Sequence, residues 1–203
     1  MQNYSQNNEQ EIILKYFGDN RCFGDYKGSF LDIGAYNGVD ISNTRALLEL
    51  GWSGIMVEPN PFNLVDLINN CREFGDRAKI ISGAVGESSG LCRLHLDDSP
   101  GRGWAATLCG DKPGRSDPSK IHLEVPVIYP SVLYKFGPFD LISIDAEWKD
   151  MDILTSFDID TLRDVSMVIM EPAGIDREDA RKYFRDLGFK IHAETPENII
   201  AAR

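Results

Sequence analysis

The stretch from Phe30 to Asp40 constrains this chain more than any other. An apolar run, Phe30, Leu31 and Ile33, carries Asp32 near its end and passes directly into the small residues Gly34, Ala35 and Gly38. Apolar spacing resumes at Ile41, Ala46, Leu47, Leu48 and Leu50. A buried strand, a tight turn and a helix from about Ile41 to Leu50, stopped by Gly51, satisfy this pattern. Such a turn is expected to leave backbone N–H groups free. It also admits a ligand closely wherever no Cβ stands in the way.

The side chains of the turn discriminate between ligands. A dinucleotide site follows G-x-G-x-x-G, where the second Gly makes room for a pyrophosphate. Tyr36 occupies that place here. Asp32 adds a negative charge at the strand end, which attracts a cation and repels phosphate. The turn therefore favours S-adenosylmethionine over NAD. An NAD-dependent oxidoreductase and a non-catalytic module that binds S-adenosylmethionine are the alternatives.

With 203 residues, 42% of them hydrophobic and 26% charged, the chain has the length and balance of one globular domain. Its net charge of -11 opposes a nucleic-acid partner, which needs clustered Lys and Arg to neutralise phosphates. No run reaches transmembrane length and the first residues are polar, so neither membrane nor secretory signal is expected. The four cysteines, Cys22, Cys71, Cys92 and Cys109, have no zinc spacing; they read as thiols of a reducing, cytoplasmic compartment.

Along the chain, residues 1–28 read as an N-terminal helical and loop cap, and 29–203 as the main domain. Strands are predicted at Ser29–Ile33, Gly54–Val57, Lys79–Ser82, Leu91–Leu96, Leu123–Val127, Phe139–Ile144, Val165–Met170, Phe189–Ala193 and Asn198–Ala202. Pro126 suggests an edge position for its strand. Helices are predicted at Phe62–Phe74, from Met151 to Phe157, and at Arg177–Leu187. Asp97 to Lys120 is rich in Gly, Pro, Ser and Asp without periodicity, and reads as a mobile insert able to close over a substrate. Strands alternating with helices give an α/β fold with a mostly parallel, doubly wound sheet.

Ligands of such sheets bind beyond the carboxyl ends of the strands, where Asp32, Glu58, Ser82, Asp145 and Glu171 all fall. Glu58 follows the glycine turn at about 20 residues, the distance that sets an acidic residue on a ribose. Each hydrogen bond from a ribose hydroxyl to its carboxylate is worth roughly 1.5–3 kcal/mol. The strand ending at Ser82 is followed by Gly83-Ala84-Val85-Gly86, small residues that could let an adenine lie against the backbone.

In their order, several segments resemble the FkbM family of S-adenosylmethionine-dependent methyltransferases. They are Ser5-Gln6 through Phe17, Phe30 to Ala35 with Gly38 to Thr44, Gly51 to Gly54, Glu58-Pro59-Asn60-Pro61, Gly83 to Gly86, Ile144 to Glu147, and Glu197 to Ile200. The resemblance implies a class I methyltransferase, Rossmann-like fold: a seven-stranded sheet whose last strand runs antiparallel. It implies methyl transfer, usually to oxygen of sugars or natural products. It sets Asp32, Gly34, Ala35 and Gly38 at the methionine and ribose end of the cofactor, Glu58 and Pro59 at the ribose, Ser82, Gly83 and Ala84 near adenine, and Asp145 near the sulfonium. Trp148 and Asp150 stand where the family commonly has Gly and Glu.

Methylating a hydroxyl requires a base as well as alignment, and the base supplies about 10²–10⁴ in rate. Asp145 and Glu147, at the strand end beside the cofactor, are the candidates. His95 and His122, which flank the insert, and Lys149 are weaker ones, while His192 reads as structural. A metal-assisted variant would use Asp145, Glu147 and Glu171 as oxygen ligands, but their spacing is no metal signature and no metal is expected. The expected partner is a small-molecule or glycan acceptor.

Overall fold

The computed structural model describes residues 1–21, 26–96, 107–108 and 122–203. Its centre is a seven-stranded sheet. The strands are β1 (Ser29–Ile33), β2 (Ser53–Glu58), β3 (Ala78–Ser82), β8 (Leu141–Ile144), β9 (Met167–Met170), β10 (Lys190–Glu194) and β11 (Ile199–Ala202), in spatial order β10-β11-β9-β8-β1-β2-β3. β11 runs antiparallel to both neighbours, and the pairings among β1, β2, β3, β8 and β9 are parallel. This is the doubly wound, Rossmann-like sheet expected from the pattern, with the antiparallel strand that the family resemblance implied. Among the described residues no helix is long and apolar enough to cross a membrane.

The strand sequences follow their places in the sheet. β8, β9 and β11 are buried at every position, so each is a continuous apolar run apart from Ser143. The edge strand β10 alternates between exposed and half-buried residues. Successive side chains point to opposite faces, and two cores result. Leu31, Val57, Ile142 and Val168 pack with helices α5 (Asp150–Ser156), α6 (Ile159–Leu162) and α7 (Arg177–Asp186) through Ile153, Leu162 and Phe184. Phe30, Met56, Leu141 and Ile169 pack on the other face with α1 (Glu9–Arg21), α2 (Arg45–Glu49) and α3 (Pro61–Cys71) through Ile13, Phe17, Leu47 and Leu67. α4 (Pro130–Leu133) adds Leu133 to the first core.

A second, four-stranded sheet is built from β4 (Ala84–Val85), β5 (Gly90–His95), β6 (Thr107–Leu108) and β7 (His122–Ile128), in order β4-β7-β5-β6. β7 is therefore not the edge strand that Pro126 suggested. Pro126 is tolerated because β4 pairs only with Val127 and Ile128, leaving the proline opposite Leu91 of β5 alone. Apart from Thr107 and Leu108, the predicted mobile insert lies outside the described residues, as do Cys22 and Cys109.

The first helix is shorter than its apolar spacing predicted. Residues 35–44 form turns instead, and α2 begins at Arg45. Local polar side chains capture the backbone that a helix would have used: Asn37 Oδ1 accepts from the amides of Val39 (3.0 Å) and Asp40 (2.9 Å), and Ser42 Oγ from that of Arg45 (3.1 Å). Ile41 sits in the left-handed region, at φ 52°, and is exposed. α6 is a single short turn that the apolar spacing does not predict.

The N-terminal helix is part of the sheet's core. Phe17 is fully buried, with its ring edge-on to Trp52 at 4.8 Å. Phe17→Ala is expected to lower stability by about 3–5 kcal/mol, the range for deleting a buried aromatic ring; urea unfolding followed by circular dichroism measures it. A loss below 1 kcal/mol would make residues 1–28 a detachable cap.

Candidate functional site

A cavity of about 230 Å³ opens at the carboxyl ends of the central strands. Its wall runs from Gly83 and Ala84, past Glu58 at the end of β2 and Gly34 after β1, to Asp145 and Glu171 after β8 and β9. Glu197 and Asn198, between β10 and β11, and Gln6 from the N-terminal segment complete it.

The turn after β1 is fixed by close packing. A Cβ on Gly34 would lie 1.7 Å from the carbonyl oxygen of Asp145, and its φ of 82° is unfavourable for any other residue. The expectation of free turn amides is corrected by the structure. Gly34 and Ala35 both donate to the Val57 carbonyl, at 2.9 and 3.1 Å, and Gly38 donates to the Ala35 carbonyl at 2.9 Å. Tyr36, at φ 50°, donates its amide to Glu58 Oε2 at 2.9 Å. With Val39 and Asp40 bonded to Asn37, the turn is tied internally and to β2. A phosphate-binding nest would need those amides.

Glu58 is nearly buried, yet lines the cavity. Besides the Tyr36 amide it accepts from the Asn60 amide (2.8 Å) and the Asn63 side-chain amide (3.3 Å), both at Oε1. Desolvation outweighs these bonds and pushes its carboxyl up to about 7. Asp32 is similarly raised to about 6 by burial, although Thr44 Oγ1 donates to it at 2.6 Å and Ser143 also hydrogen-bonds it.

Beyond β8, Asp150 holds the loop that carries the candidate bases. It accepts from the amides of Ala146 (2.7 Å) and Trp148 (3.2 Å), and burial raises it to about 7. These bonds keep Glu147 and Trp148 in consecutive left-handed conformations, at φ 51° and 87°. Such conformations cost of order 1–3 kcal/mol each and persist only when the surroundings impose them. Asp145 is raised well above the ordinary carboxylate range, first by desolvation and then by the nearby Glu171, Asp150 and Glu147; its carboxyl also hydrogen-bonds that of Glu171.

Of the residues singled out in the sequence, Asp32, Gly34, Ala35, Glu58, Pro59, Gly83, Ala84, Asp145 and Glu147 all line this cavity. Gly38 and Ser82 are not among the lining residues. Gly38 faces α3, where a Cβ would meet Leu67 at 2.6 Å, and Ser82 is exposed. His95 and His122 are likewise not among them. They face each other across β5 and β7, ring centroids 4.5 Å apart. Gln6, Asn63 and Asn198 were missed. Asn63 was readable, because an acceptor at a strand end and an amide five residues later, one turn into the next helix, fall side by side.

Among the described lining residues the charge is one-sided. Asp32, Asp40, Glu58, Asp145, Glu147, Glu171 and Glu197 face a single cation, Lys149, itself paired with Asp152 at 2.9 Å. Among the described residues no group of three or more His, Cys, Asp or Glu is arranged to hold a metal ion.

A family model described as the Methyltransferase FkbM domain matches residues 32–191. No curated protein sequence matches the chain significantly. Among solved structures, a candidate RNA methyltransferase from Pyrococcus horikoshii is similar over 98% of this chain and 87% of its own, with 15% identity and a TM-score of 0.50. A protein of the NADB-Rossmann superfamily from Streptococcus agalactiae aligns over 98% of this chain and 69% of its own, at 15% identity and a TM-score of 0.53. A candidate tRNA (m1A22) methyltransferase from Streptococcus pneumoniae aligns over 94% and 68%, at 14% identity and a TM-score of 0.50. At such identities the likeness is one of fold.

The raised carboxyl of Glu58 has a definite stability signature. The folded state holds the proton more tightly than the unfolded chain, so this group's contribution falls as pH rises from about 4.5 to 7. Glu58→Gln cannot ionise. In the absence of ligand it is expected to gain roughly 2–3 kcal/mol relative to the native protein between pH 5 and pH 8, read from urea midpoints. A pH-independent difference would mean that Glu58 titrates normally.

Proposed function

The chain belongs to the FkbM methyltransferase family, with S-adenosylmethionine as its cofactor, and from that premise we propose that it methylates a hydroxyl oxygen of a sugar, glycan or other small molecule. The observation that carries the cofactor side is the internally bonded turn after β1. The amides of Gly34, Ala35, Tyr36 and Gly38 are spent on Val57, Glu58 and the Ala35 carbonyl, so these four offer no cradle to a pyrophosphate. A nucleoside with a cationic sulfonium needs none, and a ring of carboxylates favours its charge.

In this reading Gly34 and Ala35 let the methionine end lie close to the backbone, with Asp32 and Gly38 holding the turn's shape from behind. Glu58, with the lone pairs its three protein donors leave, would accept the ribose hydroxyls, and Pro59 would line the same part of the cavity. Gly83 and Ala84 would line the adenine's part of the cavity, which Ser82 does not line. When bound, the cofactor supplies an electrophilic methyl group on sulfur. The chain's own task is to align the acceptor oxygen and remove its proton. Alignment alone can contribute roughly 7–11 kcal/mol. Asp145 and Glu147 are the groups proposed to receive the proton, and both line the cavity. The Asp150 clamp on their loop limits how far either carboxylate wanders.

Calorimetric titration with S-adenosylhomocysteine is expected to show micromolar binding, and titration with NAD none. Glu58→Ala should weaken S-adenosylhomocysteine at least tenfold, in keeping with the roughly 1.5–3 kcal/mol of a charged hydrogen bond. An unchanged dissociation constant would remove Glu58 from the ribose.

A further inference from the structure

Backbone strain in this protein gathers at the cavity. Among the described residues five other than glycine have left-handed backbone: Asn8, Tyr36, Ile41, Glu147 and Trp148. Three of them, Tyr36, Ile41 and Glu147, line the cavity. Ile41 is the most costly of the set, because a β-branched side chain tolerates a φ of 52° least. Glycine or asparagine would take that backbone more readily.

Core packing does not account for an isoleucine at this position. Ile41 is 36% exposed and belongs to none of the hydrophobic cores among the described residues. Its conformation is imposed from both sides. Upstream, Asn37 Oδ1 holds the Val39 and Asp40 amides, and the Asn37 carbonyl accepts from Asn70 Nδ2 of α3 at 2.9 Å. Downstream, Ser42 Oγ accepts from the amides of Thr44 (3.3 Å) and Arg45 (3.1 Å), and Asn43 Nδ2 donates to Ser143 Oγ of β8 at 3.2 Å. α3 packs on β2 and β3, while β8 lies on the other side of β1. Residues 36–43 therefore arch across the end of β1, with Ile41 between two fixed turns and in the cavity wall.

The wall around Ile41 is polar. Asp40, Ser42 and Asn43 line the cavity beside it, as do Asp32 of β1 and Asp145 after β8. An aliphatic side chain held in such surroundings at a conformational cost is explained by an apolar part of a ligand that covers it.

We propose that Ile41 is a cofactor-contacting residue that packs on the methylene chain in the methionine portion of S-adenosylmethionine. The inference rests on the cofactor reading above, which sets that portion at Gly34 and Ala35, the turn from which the arch springs. The methylene chain is the apolar part of that half of the ligand, between the sulfonium and a charged amino-acid group. Covering it removes apolar surface of both partners from water. It also excludes water beside the sulfonium, where attraction to carboxylates strengthens as the dielectric falls.

Three variants separate this contact from a merely structural role. Calorimetric titration with S-adenosylhomocysteine reads binding, and the urea midpoint without ligand reads stability. Ile41→Gly and Ile41→Asn suit the left-handed backbone, so both are expected to match or exceed the native urea midpoint. Both should nevertheless weaken S-adenosylhomocysteine about tenfold, through the lost apolar contact. Ile41→Leu keeps the aliphatic surface and should stay within about threefold of the native dissociation constant. Methylthioadenosine, which has the nucleoside without the amino-acid chain, should change less than about threefold in every variant. Native S-adenosylhomocysteine affinity in Ile41→Asn would overturn the proposal. Equal losses in Ile41→Leu and Ile41→Asn would also overturn it, because the shape of the arch and not an apolar contact would then decide binding. An equal loss for methylthioadenosine would move Ile41 to the nucleoside and overturn the assignment to the methionine chain. Failure of the native protein to bind S-adenosylhomocysteine would instead remove the cofactor reading beneath it.

Discussion

The contact between Gly34 and the carbonyl of Asp145 sets the distance between two strand ends, and much of the site follows from that distance. No side chain fits between them, since a Cβ would sit 1.7 Å from the oxygen. The Asp145 amide in turn donates to the Ile33 carbonyl at 2.9 Å, so β1 and β8 are locked together up to the cavity floor. From there the Gly34 and Ala35 amides reach across to Val57, and the Tyr36 amide to Glu58. Three strand ends thus form one rigid rim. Asp32, Glu58 and Asp145 are brought to it by the backbone, without any attraction between them.

Bringing carboxylates together in this way costs energy, and the surrounding hydrogen bonds show how the cost is contained. Glu58 accepts from two backbone amides and a buried side-chain amide, Asp32 accepts from Thr44, and Asp150 accepts from two amides of its own loop. Even so, burial leaves all three with raised proton affinity. A cationic ligand relieves that burden by favouring the ionised forms. The electrostatic strain of the rim and the proposed ligand's charge therefore point the same way. The left-handed pair Glu147 and Trp148 belongs to the same logic, because a strained loop held by a buried Asp keeps its side chains in place at little entropic cost on binding.

The N-terminal segment links packing to the site. Ile13 and Phe17 belong to the core beneath the sheet, while Glu9, one turn earlier, pins the chain to the turn before β11. One helix therefore seals a hydrophobic face and delivers Gln6 to the cavity. The likeness to RNA methyltransferases, at 14–15% identity, is one of fold: a sheet of this kind serves many acceptors, and the side chains at its rim choose among them.

Much of this was legible in the sequence because it depends on local rules. Continuous apolar runs marked the buried parallel strands, the small residues marked the turn, and the 20-residue interval from Gly38 to Glu58 reflects one strand–helix–strand unit of fixed geometry. The resemblance added the antiparallel position of β11. What the sequence could not supply were the partners of polar groups. The turn amides read as free because their acceptors, Val57 and Glu58, lie on another strand. The α2 region read as a longer helix because apolar spacing carries no trace of the Asn37 and Ser42 side-chain bonds that compete with it. Pro126 read as an edge because strand pairing is a property of neighbours. Gln6 and Asn198, some 190 positions apart, line one cavity only after the chain has folded. Sequence thus determined which segments must be buried, since burial follows from each residue's own transfer free energy. Tertiary structure alone decided which amides and carboxylates remain available to that ligand, since hydrogen bonding is a relation between groups that the chain brings together from afar.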